Sequence, residues 1–222
     1  MHPSDGRPLY AFPWQGVTLL GTTDLDHGED LQAEPLVSPA ERSYLLEAAR
    51  AFFPSLGLAE ADVQAAFAGV RPVVGTGRPD PSREPRDMFL ARDQNLVTVT
   101  GGKLTTFRLT AVKALELAGR TACLPTAGLA GQRVFAAYAG PAYADPIPGT
   151  VYSWGQLAGK AREMVVHLDD LLLRRLRLGL VLPGDGWLER VGDIVRPVLG
   201  WDGNQWLREK ERYLEIVGRA YR

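Results

Sequence analysis

With 222 residues, 45% of them hydrophobic and 23% charged, the chain suits a soluble globular protein with one large core or two small ones. A net charge of −1 gives no global basic field for nucleic acid or anionic lipid, and a single cysteine, Cys123, excludes an intrachain disulfide and fits a reducing, cytoplasmic compartment. No apolar run is long enough to cross a bilayer, Met1–Arg7 lacks a signal-peptide core, and His2, His27 and His167 show no metal-ligand spacing, so an integral membrane protein is excluded while peripheral contact with a membrane stays open.

In chain order, Leu9–Phe12 and Val17–Thr23 read as a hairpin around the turn Pro13-Trp14-Gln15-Gly16. Asp24–Leu36 is acidic and irregular. Ser38-Pro39-Ala40-Glu41 predicts a helix start, with a serine N-cap, proline at the first position and glutamate at the third, and the helix runs to about Phe53. Leu58–Asp62 adds a turn, and the alternating residues of Val63–Val74 predict a strand ending in Ala68-Gly69-Val70-Arg71-Pro72. Gly75–Pro85 is a surface loop, rich in Gly, Pro, Arg and Asp. Asp87–Ala91 and Leu96–Thr100 are expected to pair across Arg92–Asn95, and Leu104, Phe107, Ala111, Leu115 and Ala118 have the spacing of a helix facing a core.

Gly119–Gly149 reads as a connector with a short helical piece near Phe135–Tyr138. Beyond Ser153 the pattern is helical: a long amphipathic helix over Gln156–Leu176, a second over Trp187–Leu199 and a third over Asn204–Tyr221, with Trp187, Trp201 and Trp206 as core anchors. The expectation is an α+β region over residues 1–119 with a mixed or antiparallel sheet, a connector over 120–150, and a small all-α domain over 151–222.

The densest motif is Leu96–Thr106, an apolar β-branched run followed by Gly101-Gly102-Lys103 and two threonines at a helix start. Glycines there let backbone amides approach an anionic group closely, although a plain strand-to-helix turn uses the same residues, and Thr105 and Thr106 also suit helix capping. The P-loop spacing and G-x-G-x-x-G are both absent, so a complete dinucleotide site is not encoded. Arg71, held between an apolar segment and Pro72, and Arg83 in the loop each offer a planar fork for phosphate or carboxylate, while Arg78 and Arg86 read as solvated. Asp169-Asp170 with Arg174-Arg175 reads as charge pairing on the long helix, and His167 as a core or surface histidine.

Taken in order, several pieces resemble the C-terminal half of FAD-dependent glycerol-3-phosphate dehydrogenases: Phe12-Pro13-Trp14 with Gly21-Thr22-Thr23-Asp24, Ala68–Pro72, Ser82-Arg83-Glu84, Val99–Arg108, and Asp169-Asp170 with Arg174-Arg175. The resemblance implies a partial FAD-dependent oxidoreductase fold. It implies that Gly101, Gly102, Leu104, Thr105 and Thr106 face the flavin, and that Arg71, Arg83 and Lys103 hold sn-glycerol 3-phosphate, with Lys103 near the reacting carbon's oxygen. Hydride transfer from C2 to FAD would give dihydroxyacetone phosphate, with electrons passing to a quinone at a membrane surface. The missing N-terminal motif makes the chain look like a fragment or one part of a split enzyme. A non-catalytic phosphoester-binding module and a truncated remnant are the alternatives, and a homo-oligomer stays open.

Overall fold

The computed structural model describes residues 1–72, 87–120 and 144–222. Arg78, Arg83 and Arg86, Ser82 and Glu84, Cys123 and the expected helical piece at Phe135–Tyr138 lie outside the described residues.

The first hairpin forms, with Pro13 and Trp14, expected in the turn, belonging to its first strand. Strand β1 (Tyr10–Trp14) pairs antiparallel with β2 (Val17–Gly21), in a register that sets Trp14 opposite Val17. Gln15 and Gly16 take positive φ values of 49° and 85°, the left-handed pair that matches the twist of a two-residue hairpin turn. Helix α1 (Pro39–Phe52) carries the expected capping box: the Glu41 amide donates to Ser38 Oγ at 3.2 Å, and the Ser38 amide donates to Glu41 Oε2 at 3.0 Å. Thr23 Oγ1 donates to the other Glu41 oxygen at 2.7 Å, tying the end of the hairpin to this cap. A turn over Glu60–Asp62 forms at the end of the expected Leu58–Asp62 segment.

His2 is 2% exposed and stacks on the Tyr44 ring at 3.6 Å. Its Nδ1 accepts the Ser4 amide at 3.1 Å, which leaves Nε2–H to donate to the Tyr44 carbonyl at 2.9 Å. The N-terminal segment is thereby fixed to α1, a role for His2 that the sequence pattern does not signal.

The expected strand over Val63–Val74 is not formed across its described residues. Alternation alone does not make a strand without a ladder to join. Here the Ala66 amide donates to the carbonyl of Tyr221 at 3.1 Å, and Arg222 Nη1 donates to the Gln64 carbonyl at 2.5 Å, so Gln64 and Ala66 bond to the C-terminal end of the chain rather than to a strand.

Strands β3 (Met88–Asp93) and β4 (Leu96–Gly101) form the second hairpin, antiparallel, with Met88 opposite Gly101 and Asp93 opposite Leu96. A single 3₁₀ turn, Leu104–Thr106, leads into α2 (Phe107–Leu117). Arg92 Nη1 donates to the Leu117 carbonyl at 3.1 Å and fastens the helix end to the hairpin.

From Trp154 onward every regular element is helical: α3 (Trp154–Lys160), a wide π-helical turn (Asp170–Arg175), α4 (Leu178–Val181), α5 (Leu188–Leu199) and α6 (Gly203–Ala220). The long helix expected over Gln156–Leu176 is broken. Met164 and Arg177 adopt left-handed φ values of 54° and 57°, and the Asp170 carboxylate accepts the Val166 and His167 amides at 3.1 and 2.9 Å, which starts a new turn. The remaining helices follow their apolar spacing. Leu188, Val191, Ile194 and Val195 of α5 are buried with Trp206, Tyr213 and Val217 of α6. Trp206 is a core anchor, whereas Trp187 and Trp201 pack against the core from partly exposed positions.

Two compact units result. The first comprises Met1–Thr23, Glu29–Ala68 and the described part of Phe135–Arg222, and it holds the buried apolar core: Ile147, Leu157, Leu168, Leu171, Leu172 and the α5–α6 residues. Asp169, 3% exposed, accepts from Arg174 Nη1 at 2.5 Å and from Arg212. Arg174 Nη2 also reaches Glu34 at 3.4 Å, and the Tyr221 hydroxyl donates to the same Glu34. The charge pairing expected at Asp169 and Arg174 is thus part of a network that reaches α6. Arg175 instead donates to the backbone carbonyls of Glu163 and Asp170.

The second unit comprises Asp24–Gly28 and the described part of Gly69–Val134. None of its described residues is fully buried. Leu104 and Phe107, expected on a core-facing helix stripe, are 89% and 68% exposed, because a two-stranded sheet gives α2 too little surface to bury that stripe.

Candidate functional site

The second unit holds the glycine corner. At the end of β4, Gly101 and Gly102 take φ values of 69° and 82°, a conformation that L side chains rarely adopt. A Cβ on Gly101 would lie 2.5 Å from the Asp87 carbonyl oxygen, so this glycine is required by close backbone approach as well as by its dihedral. The Gly102 amide donates to that same carbonyl at 3.2 Å and closes the hairpin end.

Thr106 does not cap α2 with its side chain. Its Oγ1 accepts the Lys103 amide at 3.2 Å and donates to the Lys103 carbonyl at 3.0 Å, so it locks the corner itself. Thr110 Oγ1 donates to the Thr106 carbonyl at 3.1 Å and lies beside Gly102. The Leu104 and Thr105 amides follow, at the start of the first helical turn, where main-chain donors lack an internal acceptor. Lys103 is exposed, and its ammonium has no ion-pair partner among the described residues. Thr105, Thr106, Arg108, Leu109 and Val112 line an open depression on the surface of this turn.

Arg71 lies in the same unit. Its Nη2 donates to both carboxylate oxygens of Asp24, at 2.7 and 2.5 Å, with the two side chains 43% and 29% exposed. Among the described residues no hydrogen bond or ion pair joins Arg71 to the Gly101–Thr106 corner. Arg83 lies outside the described residues. The sequence reading assigns no role to Asp24. Its place in Gly21-Thr22-Thr23-Asp24, an acidic residue ahead of a candidate anion-binding arginine, is the signal that could have raised it.

A family model described as FAD dependent oxidoreductase matches residues 1–117, from the N-terminal segment through the corner to the end of α2. The chain belongs to this family. Among curated relatives, the aerobic glycerol-3-phosphate dehydrogenase of Staphylococcus aureus (strain USA300) is 33% identical over 117 residues, which is 52% of this chain and 21% of the relative. The protein of the same name from Staphylococcus haemolyticus (strain JCSC1435) is 35% identical over 114 residues, 51% of this chain and 20% of the relative. The match therefore spans about a fifth of the length of these relatives. The family model's match includes Asp24, Arg71 and the corner, and it ends before α3.

For a member of an FAD-dependent family, the corner has a suitable donor set for one part of that cofactor. Two glycines without side chains, main-chain amides at the start of a helical turn and a lysine with no ion-pair partner among the described residues are donors of the kind that suits an electron-rich ring edge. The chain supplies no G-x-G-x-x-G motif for the pyrophosphate.

Proposed function

We propose that this chain carries the substrate-gripping and flavin-facing part of a glycerol-3-phosphate dehydrogenase. The reaction is the oxidation of sn-glycerol 3-phosphate to dihydroxyacetone phosphate, in which bound FAD supplies the hydride acceptor and a quinone at a membrane surface takes the electrons. Arg71 and Arg83 grip the phosphoryl group through their planar forks, and Lys103 places a point charge near the oxygen on the reacting carbon. Holding the substrate at both ends fixes the C2–H direction, so the contribution of these side chains is positioning. Gly101, Gly102, Leu104, Thr105 and Thr106 present backbone rather than side chains toward the flavin.

The observation that carries this reading is the corner itself. Gly101 has no room for a side chain, Thr106 holds the turn from within, and Lys103 at its tip has no ion-pair partner among the described residues.

The experiment is a titration of the purified chain with sn-glycerol 3-phosphate, with and without FAD, alongside its absorbance spectrum. The expected outcome is a colourless protein, since the pyrophosphate motif is absent, whose phosphoester binding is strengthened by added FAD and lost in Arg71→Ala. A stoichiometric yellow protein would overturn the expectation of weak FAD retention. Phosphoester binding that FAD leaves unchanged would favour a second reading, a non-catalytic phosphoester-binding module. The incomplete dinucleotide motif in the sequence is what keeps that reading in play.

A further inference from the structure

A guanidinium offers an anion two flat forks, the Nε/Nη2 side and the Nη1/Nη2 end, and both require Nη2. In this structure both oxygens of Asp24 sit on Nη2 of Arg71, at 2.7 and 2.5 Å. One carboxylate on the shared nitrogen therefore obstructs both bidentate modes at once. Among the described residues, Asp24 accepts no other hydrogen bond and Arg71 donates to no other group. At 29% side-chain exposure Asp24 has a route to solvent.

We propose that Asp24 is a built-in competitor for the anionic end of the substrate: its carboxylate occupies Arg71 when no phosphoryl group is bound and has to swing away for the guanidinium to grip one. This rests on the reading of Arg71 as the phosphoryl clamp. The consequence for specificity is physical. A monoanionic carboxylate on a substrate gains little by replacing the carboxylate already there. A phosphoryl group, with up to two charges and three acceptor oxygens, gains both charge and hydrogen bonds in the exchange. Asp24 would thus raise the preference for phosphoesters over carboxylates at the expense of absolute affinity.

Isothermal titration of the full chain with sn-glycerol 3-phosphate, and separately with inorganic phosphate, at fixed pH and ionic strength tests this. The variants are Asp24→Asn, Asp24→Ala, Arg71→Ala and the double variant Asp24→Asn/Arg71→Ala, each checked by its thermal midpoint. Both Asp24 variants should bind the phosphate probes about threefold to fivefold more tightly than the parent, the range expected from removing one exposed ion-pair competitor. The gain should vanish in the double variant. If the Asp24 variants bind equally or more weakly while Arg71→Ala still abolishes binding, Asp24 holds the arginine rather than blocks it, and the inference falls while the clamp reading stands. If Arg71→Ala binds like the parent, or no protein binds either probe, the clamp reading fails and the inference with it. Loss of folding in both Asp24 variants would show a structural brace and also overturn the inference.

Discussion

Gly192 of α5 has no side chain, and a Cβ there would lie 2.7 Å from the Trp206 indole of α6. The indole rests on the backbone of α5, and Trp206 is only 6% exposed, so it has little room to move. Gly192→Ala should therefore destabilise the protein by about 1–3 kcal/mol despite its better helix propensity, measured by urea unfolding, because overpacking outweighs propensity at a closed contact. Gly101→Ala meets a backbone carbonyl rather than a ring and also violates a left-handed φ. Its expected effect is loss of phosphoester binding in the titration above, with the β3–β4 hairpin end displaced. Both glycines stand out in the sequence only as small residues. That Gly101 belongs to a corner was legible from the strand-like run before it and the helical spacing after it. That Gly192 faces Trp206 was not, since no local pattern joins positions so far apart.

At the scale of elements, local signals sufficed wherever a segment is stabilised by its own neighbours. The Ser38–Glu41 capping box was readable because all its partners lie within one turn, and Ser38→Ala should lower stability by about 1 kcal/mol in a thermal or denaturant melt. The two hairpins were readable because alternation and a short polar turn define them. The segment after Asp62 alternates like a strand yet forms none across its described residues, because the partner of the Ala66 amide, the carbonyl of Tyr221, belongs to the far end of the chain. Over Gln156–Leu176 the apolar spacing of one helix continues through a place where the Asp170 carboxylate captures two backbone amides and restarts the turn. Spacing records which residues can be buried; it does not record whether the hydrogen-bond ladder runs unbroken beneath them.

Across the whole molecule, pH should limit stability on both sides. Burial pushes the Glu41 and Asp170 carboxyls toward the neutral form, but hydrogen bonds outweigh it: Thr23 and Ser38 hold Glu41, and the amides of His167 and Val166, aided by Arg174 and Arg175, hold Asp170. Both folded values lie below the ordinary 4.5 and 3.8. The unfolded chain then binds more protons in that range, so this part of the stability is present above those ordinary values and is lost as pH falls through the lower folded ones. Tyr213 and Tyr221 move the opposite way. Burial raises both above the ordinary 10, helped at Tyr221 by its hydrogen bond to Glu34, so the folded state keeps protons that the unfolded chain releases. Stability should decline as pH rises above about 10. Thermal midpoints measured across pH should form a plateau with both flanks falling, and a Glu41→Gln variant should have a shallower acid flank.

The sequence by itself determined the local devices and the ordered motifs: the hairpin turns, the Ser38 cap, the glycine corner and Arg71, in an order that places the chain among FAD-dependent oxidoreductases. These depend on interactions over a few residues, so a one-dimensional reading captures them. Only the tertiary structure decided that the buried core gathers around the C-terminal helices, that Glu34 bonds to Tyr221, that Leu104 and Phe107 stay exposed, and that Asp24 sits on Arg71. Each of these depends on side chains far apart in sequence meeting or failing to meet, and burial and charge pairing are properties of that three-dimensional neighbourhood rather than of spacing along the chain.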